Sequence, residues 1–252
     1  MQLRINLKIY SNMHQNRLAC WQPEGHVWPM TQAVRRSDKD LQTNVTDELL
    51  FDSSIDAAHL VVLANGGVVT LSGDVGSLPE RHTAKRAAMR VAGVQAVTVD
   101  IVVRDPGVSG AKDSDIAEAA NQMLSWAVDV PSDTVKARVR DHVVTLSGTV
   151  NWQYQREAAT RAVMYLKGVT AVANTIRLIA TTPASNDLKA AIDGAILRNA
   201  QLDSHQIKAD VNGAEVTLRG SVRSWAERRQ AEKVSWSGSG VTSVRNHLTV
   251  TA

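Results

Sequence analysis

Apolar positions along this chain follow two alternating rhythms, and the alternation occurs three times. Leu41, Val45 and Leu49 fall at i, i+4 and i+8; Ile116, Ala120 and Leu124 repeat that spacing, as do Leu188, Ile192 and Ile196. This spacing lays one apolar stripe along one face of a helix. Asp113 and Ser185 stand just before two of these helices, where a short oxygen side chain can accept a free backbone N–H. The rhythm then changes to period 2. Val135, Ala137 and Val139 alternate with Lys136, Arg138 and Arg140, the pattern of a strand with one wet face. The predicted first strands are 60–64, 135–139 and 207–211. Asn65-Gly66 and Asn212-Gly213 mark tight hairpin turns, because both residue types tolerate positive φ. Arg140-Asp141 takes those places in the second copy and predicts a different turn there.

The next segment reads Val-Thr-Leu-x-Gly-x-Val in every copy, at 69–75, 144–150 and 216–222. Gly73, Gly148 and Gly220 within it point to an unusual backbone angle or close packing. A second helix follows. Ser77 with Glu80 and Ser224 with Glu227 have the capping-box form, while the second copy keeps only Gln155 of that pair. Ala84, Ala87, Ala88 and Val91 make a small-residue stripe that lets the helix lie close to the sheet, echoed by Ala159, Ala162, Val163 and Leu166. The third copy, Ala231, Val234, Ser235 and Gly238, is weaker and predicts a helix that frays early. Gly93, Gly168 and Gly240 fit the left-handed position at a helix C-terminus. Third strands are predicted at 94–103, 169–178 and 241–250.

The order is αββαβ, three times over. Gly73 to Gly148 is 75 positions and Gly148 to Gly220 is 72, while Asp40, Asp115 and Asp187 each lie 33 positions before their own glycine. Length therefore varies only between the second and third copies, as in tandem structural repeats. The fold class is α+β: three tandem αββαβ units at 38–104, 113–178 and 186–251. The hairpin sets one antiparallel pair, and the strand–helix–strand passage suggests a parallel pair by a right-handed crossover. Each unit is then a small mixed three-stranded sheet with two helices on one face. Residues 1–37 match no part of the repeat and are expected to form a disordered extension, with Met30 as an alternative start. The linkers are short, so the units should pack or hinge against each other.

The repeated Val-Thr-Leu-x-Gly-x-Val, an arginine at Arg81, Arg156 and Arg228 with an alanine three residues later, and the Gly-Val at each of Gly93, Gly168 and Gly240 resemble the BON domain family. That family takes its name from a bacterial osmotically inducible periplasmic protein and nodulation proteins. The resemblance covers nearly all the chain after residue 37. It implies the αββαβ fold, no catalytic activity, and binding to phospholipid surfaces or other envelope components during osmotic or envelope stress. It supplies no ligand-binding residues to carry over. The free-standing osmotic-stress type commonly has two copies, whereas this chain has three.

Composition narrows the chemistry. The formal charge is +3, but residues 1–30 hold three basic groups and one acidic group, which leaves residues 31–252 at +1 and the repeats close to neutral. That balance speaks against a general nucleic-acid binder, which needs a clustered basic face. Lys85, Arg86 and Arg90 share one helix and read first as a solvated face. The single cysteine, Cys20, excludes an intramolecular disulfide framework and a cysteine-based zinc site. Seven scattered histidines lack His-Glu-x-x-His spacing, and Gly-x-Ser-x-Gly and a Walker loop are absent, so no metal, cofactor or catalytic residue is assigned. No apolar run approaches the roughly 20 residues of a membrane span, and residues 1–29 lack the apolar core of a secretory signal. The missing signal favours the cytoplasm; the family association favours the periplasm.

Six tryptophans against one phenylalanine single out the aromatics. Trp152, Tyr154 and Trp225 gather at the start of the second helix, with Arg156, Arg228 and Arg229 directly after. In the first copy those columns hold Ser77, Pro79 and Leu78. Such an edge could seat at a lipid headgroup interface, or the rings could pack between repeats. Trp126 and Trp236 are expected to be partly buried. The leading expectation is a non-enzymatic protein that binds phospholipid surfaces peripherally. The alternative is a protein–protein adaptor that uses open sheet edges or the grooves between units.

Overall fold

The computed structural model describes residues 37–104, 111–179 and 187–251. The first stretch runs α1 (Asp38–Phe51), a 3-10 turn at Ala57–His59, β1 (Leu60–Asn65), β2 (Val68–Val75), α2 (Leu78–Arg90) and β3 (Ala96–Val103). The second runs α3 (Asp113–Trp126), β4 (Val135–Arg140), β5 (Val143–Val150), α4 (Gln153–Met164), β6 (Ala171–Asn174) and β7 (Arg177–Leu178). The third runs α5 (Leu188–Arg198), β8 (Ile207–Asn212), β9 (Glu215–Val222), α6 (Trp225–Trp236) and β10 (Ser243–Val250).

Each repeat is the expected mixed sheet. The Val-Thr-Leu strand is central, antiparallel to the first strand and parallel to the third. Register is the same in all copies: Val69 lies opposite Val97, Val144 opposite Val172 and Val216 opposite Val244. In the second repeat the third strand is split into β6 and β7, yet the register carries across the break. Thr175 still donates its N–H to the Leu146 carbonyl at 2.8 Å. Three cores follow from the two rhythms. In the first, Leu41, Val45 and Leu49 of α1 and Ala84, Ala87 and Ala88 of α2 pack on Val69, Leu71 and Val75. Arg90 ties the two helices together through Glu48 at 2.8 Å and Asp52 at 3.2 Å.

Gly73, Gly148 and Gly220 have φ of 125°, 138° and 126°. A Cβ there would lie about 2 Å from the carbonyl oxygen of His59, Thr134 or Gln206. Both expected reasons for glycine apply at once: the angle is left-handed and the neighbouring backbone leaves no room. Gly93, Gly168 and Gly240 also have positive φ, 96°, 86° and 86°. They sit two or three residues past the helix cap, in the turn to the third strand, rather than at the cap itself.

Three local expectations are corrected, and a fourth, the cap at Ser185, falls outside the described residues. The hairpin loops are shifted by one residue: Asn65 pairs with Val68, so Gly66 and Gly67 turn the chain. In the second repeat the loop is Asp141-His142, both at positive φ without being glycine. Asp113 is why that loop holds. It does not cap α3, whose cap is Lys112. Its carboxylate instead accepts the N–H groups of Asp141 at 2.8 Å and His142 at 3.0 Å. The cap of α5 is Asp187, and Ser185 lies outside the described residues. Finally, α6 is as long as α4. The hydroxyl of the buried Ser235 donates to the Ala231 carbonyl at 3.0 Å, which satisfies the polar atom in the stripe.

The capping boxes are half-formed. Ser77 and Ser224 cap as expected, accepting from the N–H of Glu80 and Glu227. The two glutamates turn elsewhere. Glu80 accepts from the N–H groups of Gly76 and Asp56, and Glu227 from those of Arg223 and Asp203. Each clamps the loop before the first strand. The corresponding position in the second repeat is Pro131, which has no N–H to give. There the glutamate is replaced by Gln155, whose Oε1 accepts from the N–H groups of Asn151 and Trp152, while the Trp152 indole has no acceptor to return the bond, so this box too is half-formed.

Candidate functional site

The second helices of the three repeats meet one another. The starts of α2 and α6 provide two of the contacts. Leu78, at the start of α2, is 3 % exposed and belongs, with Val103 beside it, to the core of the second repeat. Arg156 of α4 lies over the Trp236 ring of the third repeat, 5.6 Å from its centroid. Trp225, at the start of α6, donates its indole N–H to the Val94 carbonyl of the first repeat at 3.0 Å. The contacts therefore run from first to second, second to third, and third back to first. A head-to-tail contact that closes after three units makes a ring.

A cavity of about 840 Å³ opens between these helices. All three repeats contribute cations to its wall: Lys85 and Arg86 from α2, Arg156 and Arg161 from α4, and Arg229 from α6. Glu157 is its one carboxylate. His82 stands in the same wall, held below the ordinary histidine value of 6.5 first by burial and then by Arg81, Lys85 and Arg86. Met89, Met164, Tyr165 and Trp225 supply its apolar surface.

The residues singled out from sequence divide across this arrangement. Arg156, Arg229 and Trp225 line the cavity. Tyr154 is 53 % exposed, and Trp152 is half-buried. Arg228 faces its own repeat: it donates to the carbonyls of Leu248 and Asn246 at 3.0 and 2.7 Å and lies 5.0 Å from the Trp225 ring centroid. Trp236 is half-buried as expected, whereas Trp126 is 66 % exposed, a correction. Trp126 ends α3 past the last buried residue of its stripe, Leu124, so no core reaches it.

Sequence reasoning missed the part played by Leu78, Lys85 and Arg86. The signal was present in the repeat columns, where Leu78 occupies the place of Trp225. The three cations assigned to one solvated face in fact separate, since Arg90 is taken by α1 while Lys85 and Arg86 enter the cavity wall. Among the described residues no group of three or more His, Cys, Asp or Glu side chains could hold a metal ion. None of the described helices is long and apolar enough to cross a membrane.

The comparisons with known proteins agree with the repeat. The BON domain model matches residues 37–105, 112–180 and 184–252. This chain belongs to the BON domain family. It is similar to Osmotically-inducible protein Y of Escherichia coli (strain K12), 32 % identical over 144 residues that span 56 % of this chain and 72 % of the relative. Among solved structures it is matched by CdsD, a structural protein of the Type III secretion system of Chlamydia trachomatis, at 13 % identity. That match covers 84 % of this chain and 92 % of the other, with a TM-score of 0.23, too low to carry an argument.

Proposed function

We propose that this BON-domain protein is a non-enzymatic binding protein of the osmotic or envelope stress response, acting on the periplasmic side and associating peripherally with anionic phospholipid surfaces. The observation that carries the reading is the presence of solvent-exposed aromatic and basic side chains around the second helices: Tyr154 at 53 % exposure, and Tyr165 at 72 % with Arg229 in the same cavity wall. Amphipathic rings with adjacent cations suit the headgroup layer of an anionic membrane. The likeness to Osmotically-inducible protein Y supports the stress setting. Because the Trp225 N–H is engaged within the protein, the membrane contact is assigned to Tyr154 and Arg229, with Trp152 at its margin.

The test is flotation of the full chain with liposomes, neutral against anionic, at low and physiological salt. Binding to anionic vesicles alone, weakened by salt and lost in a Tyr154→Ala, Arg229→Ala double variant, is the expected result. Absence of flotation under every condition overturns the lipid reading.

A second reading, a protein–protein adaptor, is favoured by one edge strand. β1 is an open edge of its sheet and exposes Val61 (55 %) and Leu63 (57 %). The same columns hold Lys136 and Arg138 in β4 and Lys208 and Asp210 in β8. Charges on an edge strand discourage pairing with another chain; β1 lacks them and offers a template for an added strand. Capture of a partner that is lost in Val61→Lys, Leu63→Arg and indifferent to lipid would favour this reading.

A further inference from the structure

We propose that the open cavity between α2, α4 and α6 is a binding site for a small hydroxylated polyanion of the phosphate-ester class. This goes beyond the peripheral reading, since it needs no membrane. The volume, about 840 Å³, lies within the range of small-molecule sites, roughly 300–1,000 Å³.

The charge of the wall is the first argument. Of its five Lys and Arg side chains, only Arg161 has a carboxylate partner, Glu157 at 3.9 Å. Among the described residues Lys85, Arg86, Arg156 and Arg229 form no ion pair. The repeats as a whole are almost neutral, so this concentration is local rather than a consequence of a basic chain. It is also assembled from three separate parts of the sequence, and like charges gathered this way repel unless an anion lies between them. Planar guanidinium groups are suited to phosphate oxygens, which they can bind in pairs.

The second argument is an orphan acceptor. Gln153, also in the wall, gives its Nε2 hydrogen to Glu157 at 3.0 Å, which fixes the sense of the amide. Its Oε1 is then buried with no donor. A buried acceptor without a donor costs about 1–3 kcal/mol. Inorganic phosphate at neutral pH brings charge and few protons; an occupant carrying hydroxyls beside its phosphates meets both needs once the Gln153 amide, whose Oε1 is closed to solvent as it stands, turns toward the cavity.

The same chemistry exists in free sugar phosphates and in phosphoglycerol lipid headgroups, so the experiment separates them. The full chain is titrated by calorimetry with fructose 1,6-bisphosphate, with inorganic pyrophosphate and with glucose, and its melting is followed in parallel. The expected result is saturable binding of the bisphosphate at one site, with pyrophosphate about tenfold weaker or more and glucose silent. A melting temperature raised by about 5–10 °C at a hundredfold excess over Kd accompanies it. Arg86→Gln with Arg229→Gln should weaken binding at least tenfold, yet melt no lower than the parent without ligand, because repulsion is relieved. The His82 ring, followed by NMR, should titrate at higher pH once the bisphosphate is bound.

Cardiolipin vesicles that displace the bisphosphate would identify a lipid headgroup as the source of the same chemistry. Vesicles that leave it in place would identify a soluble ligand. No saturable heat and no melting shift at 10 mM bisphosphate, or equal affinity in the double variant, overturns the site. Flotation can fail while this titration succeeds, and the reverse, so the two readings are separately testable.

Discussion

Two columns of the repeat behave in opposite ways. Gly73, Gly148 and Gly220 occupy one geometry, with nearly the same φ and the same carbonyl at the same short reach. Five residues later, Leu78, Gln153 and Trp225 share one place and have three different fates: an apolar side chain in a neighbouring core, an amide in the cavity wall, and an indole bound to another repeat's backbone. The first column serves the inside of a unit, which every copy must build alike. The second serves the outside, where each copy meets a different neighbour. Repeats that merely followed one another along a chain would have no reason to diverge at this point.

The comparison can be broken most severely from the inside. Gly148→Ala places a Cβ against the Thr134 carbonyl at a left-handed φ, and should cost about 3–5 kcal/mol, measured as a fall in the midpoint of chemical denaturation. Leu78→Ala tests the outside. It empties a site that is 3 % exposed in the second repeat's core, and should cost about 2–5 kcal/mol. Because the side chain belongs to one repeat and its surroundings to another, hydrogen exchange should quicken in both. Trp225→Phe keeps a ring but removes the N–H that reaches Val94. About 1–2 kcal/mol should be lost, with exchange rising in the first and third repeats and not in the second.

The smallest effect concerns pH. His82 is held below 6.5, chiefly by burial. The unfolded chain therefore binds more protons than the folded one between the folded value and 6.5, and stability rises with pH across that window. It falls as pH drops through 6.5. In His82→Gln the dependence should flatten there, which melting curves between pH 5 and 7.5 would register. An unchanged curve would remove His82 from the account of the cationic wall.

Much of each unit was legible in the sequence, and the reasons are local. Leu41, Val45 and Leu49 give a helix face by spacing alone, and Val69–Val75 gives a strand by alternation with a glycine that no other residue can replace. What was not legible depends on partners far along the chain. Asp113 looked like a cap because it precedes an apolar stripe; the N–H groups its carboxylate accepts from, those of Asp141 and His142, are 28 and 29 residues away. The glutamates of the two capping boxes were drawn to N–H groups 24 residues upstream. The cavity was least legible of all. Arg156 and Arg229 stood out only for the aromatics near them, and Lys85 and Arg86 read as a solvated face; that the four share one wall follows only when three helices converge. A weak small-residue stripe in α6 misled for the opposite reason, since a serine can meet its own hydrogen-bonding need inside a helix.

A ring made from one chain has one seam. Peptide linkers join the first repeat to the second and the second to the third, so those two neighbours can separate only a short way before the chain draws them back. No linker joins the third to the first. There the indole of Trp225 acts as a clasp on the Val94 carbonyl, and with it open the two ends of the ring are free to part. A disulfide engineered across that clasp should hold the first and third repeats together without touching a single cation of the wall.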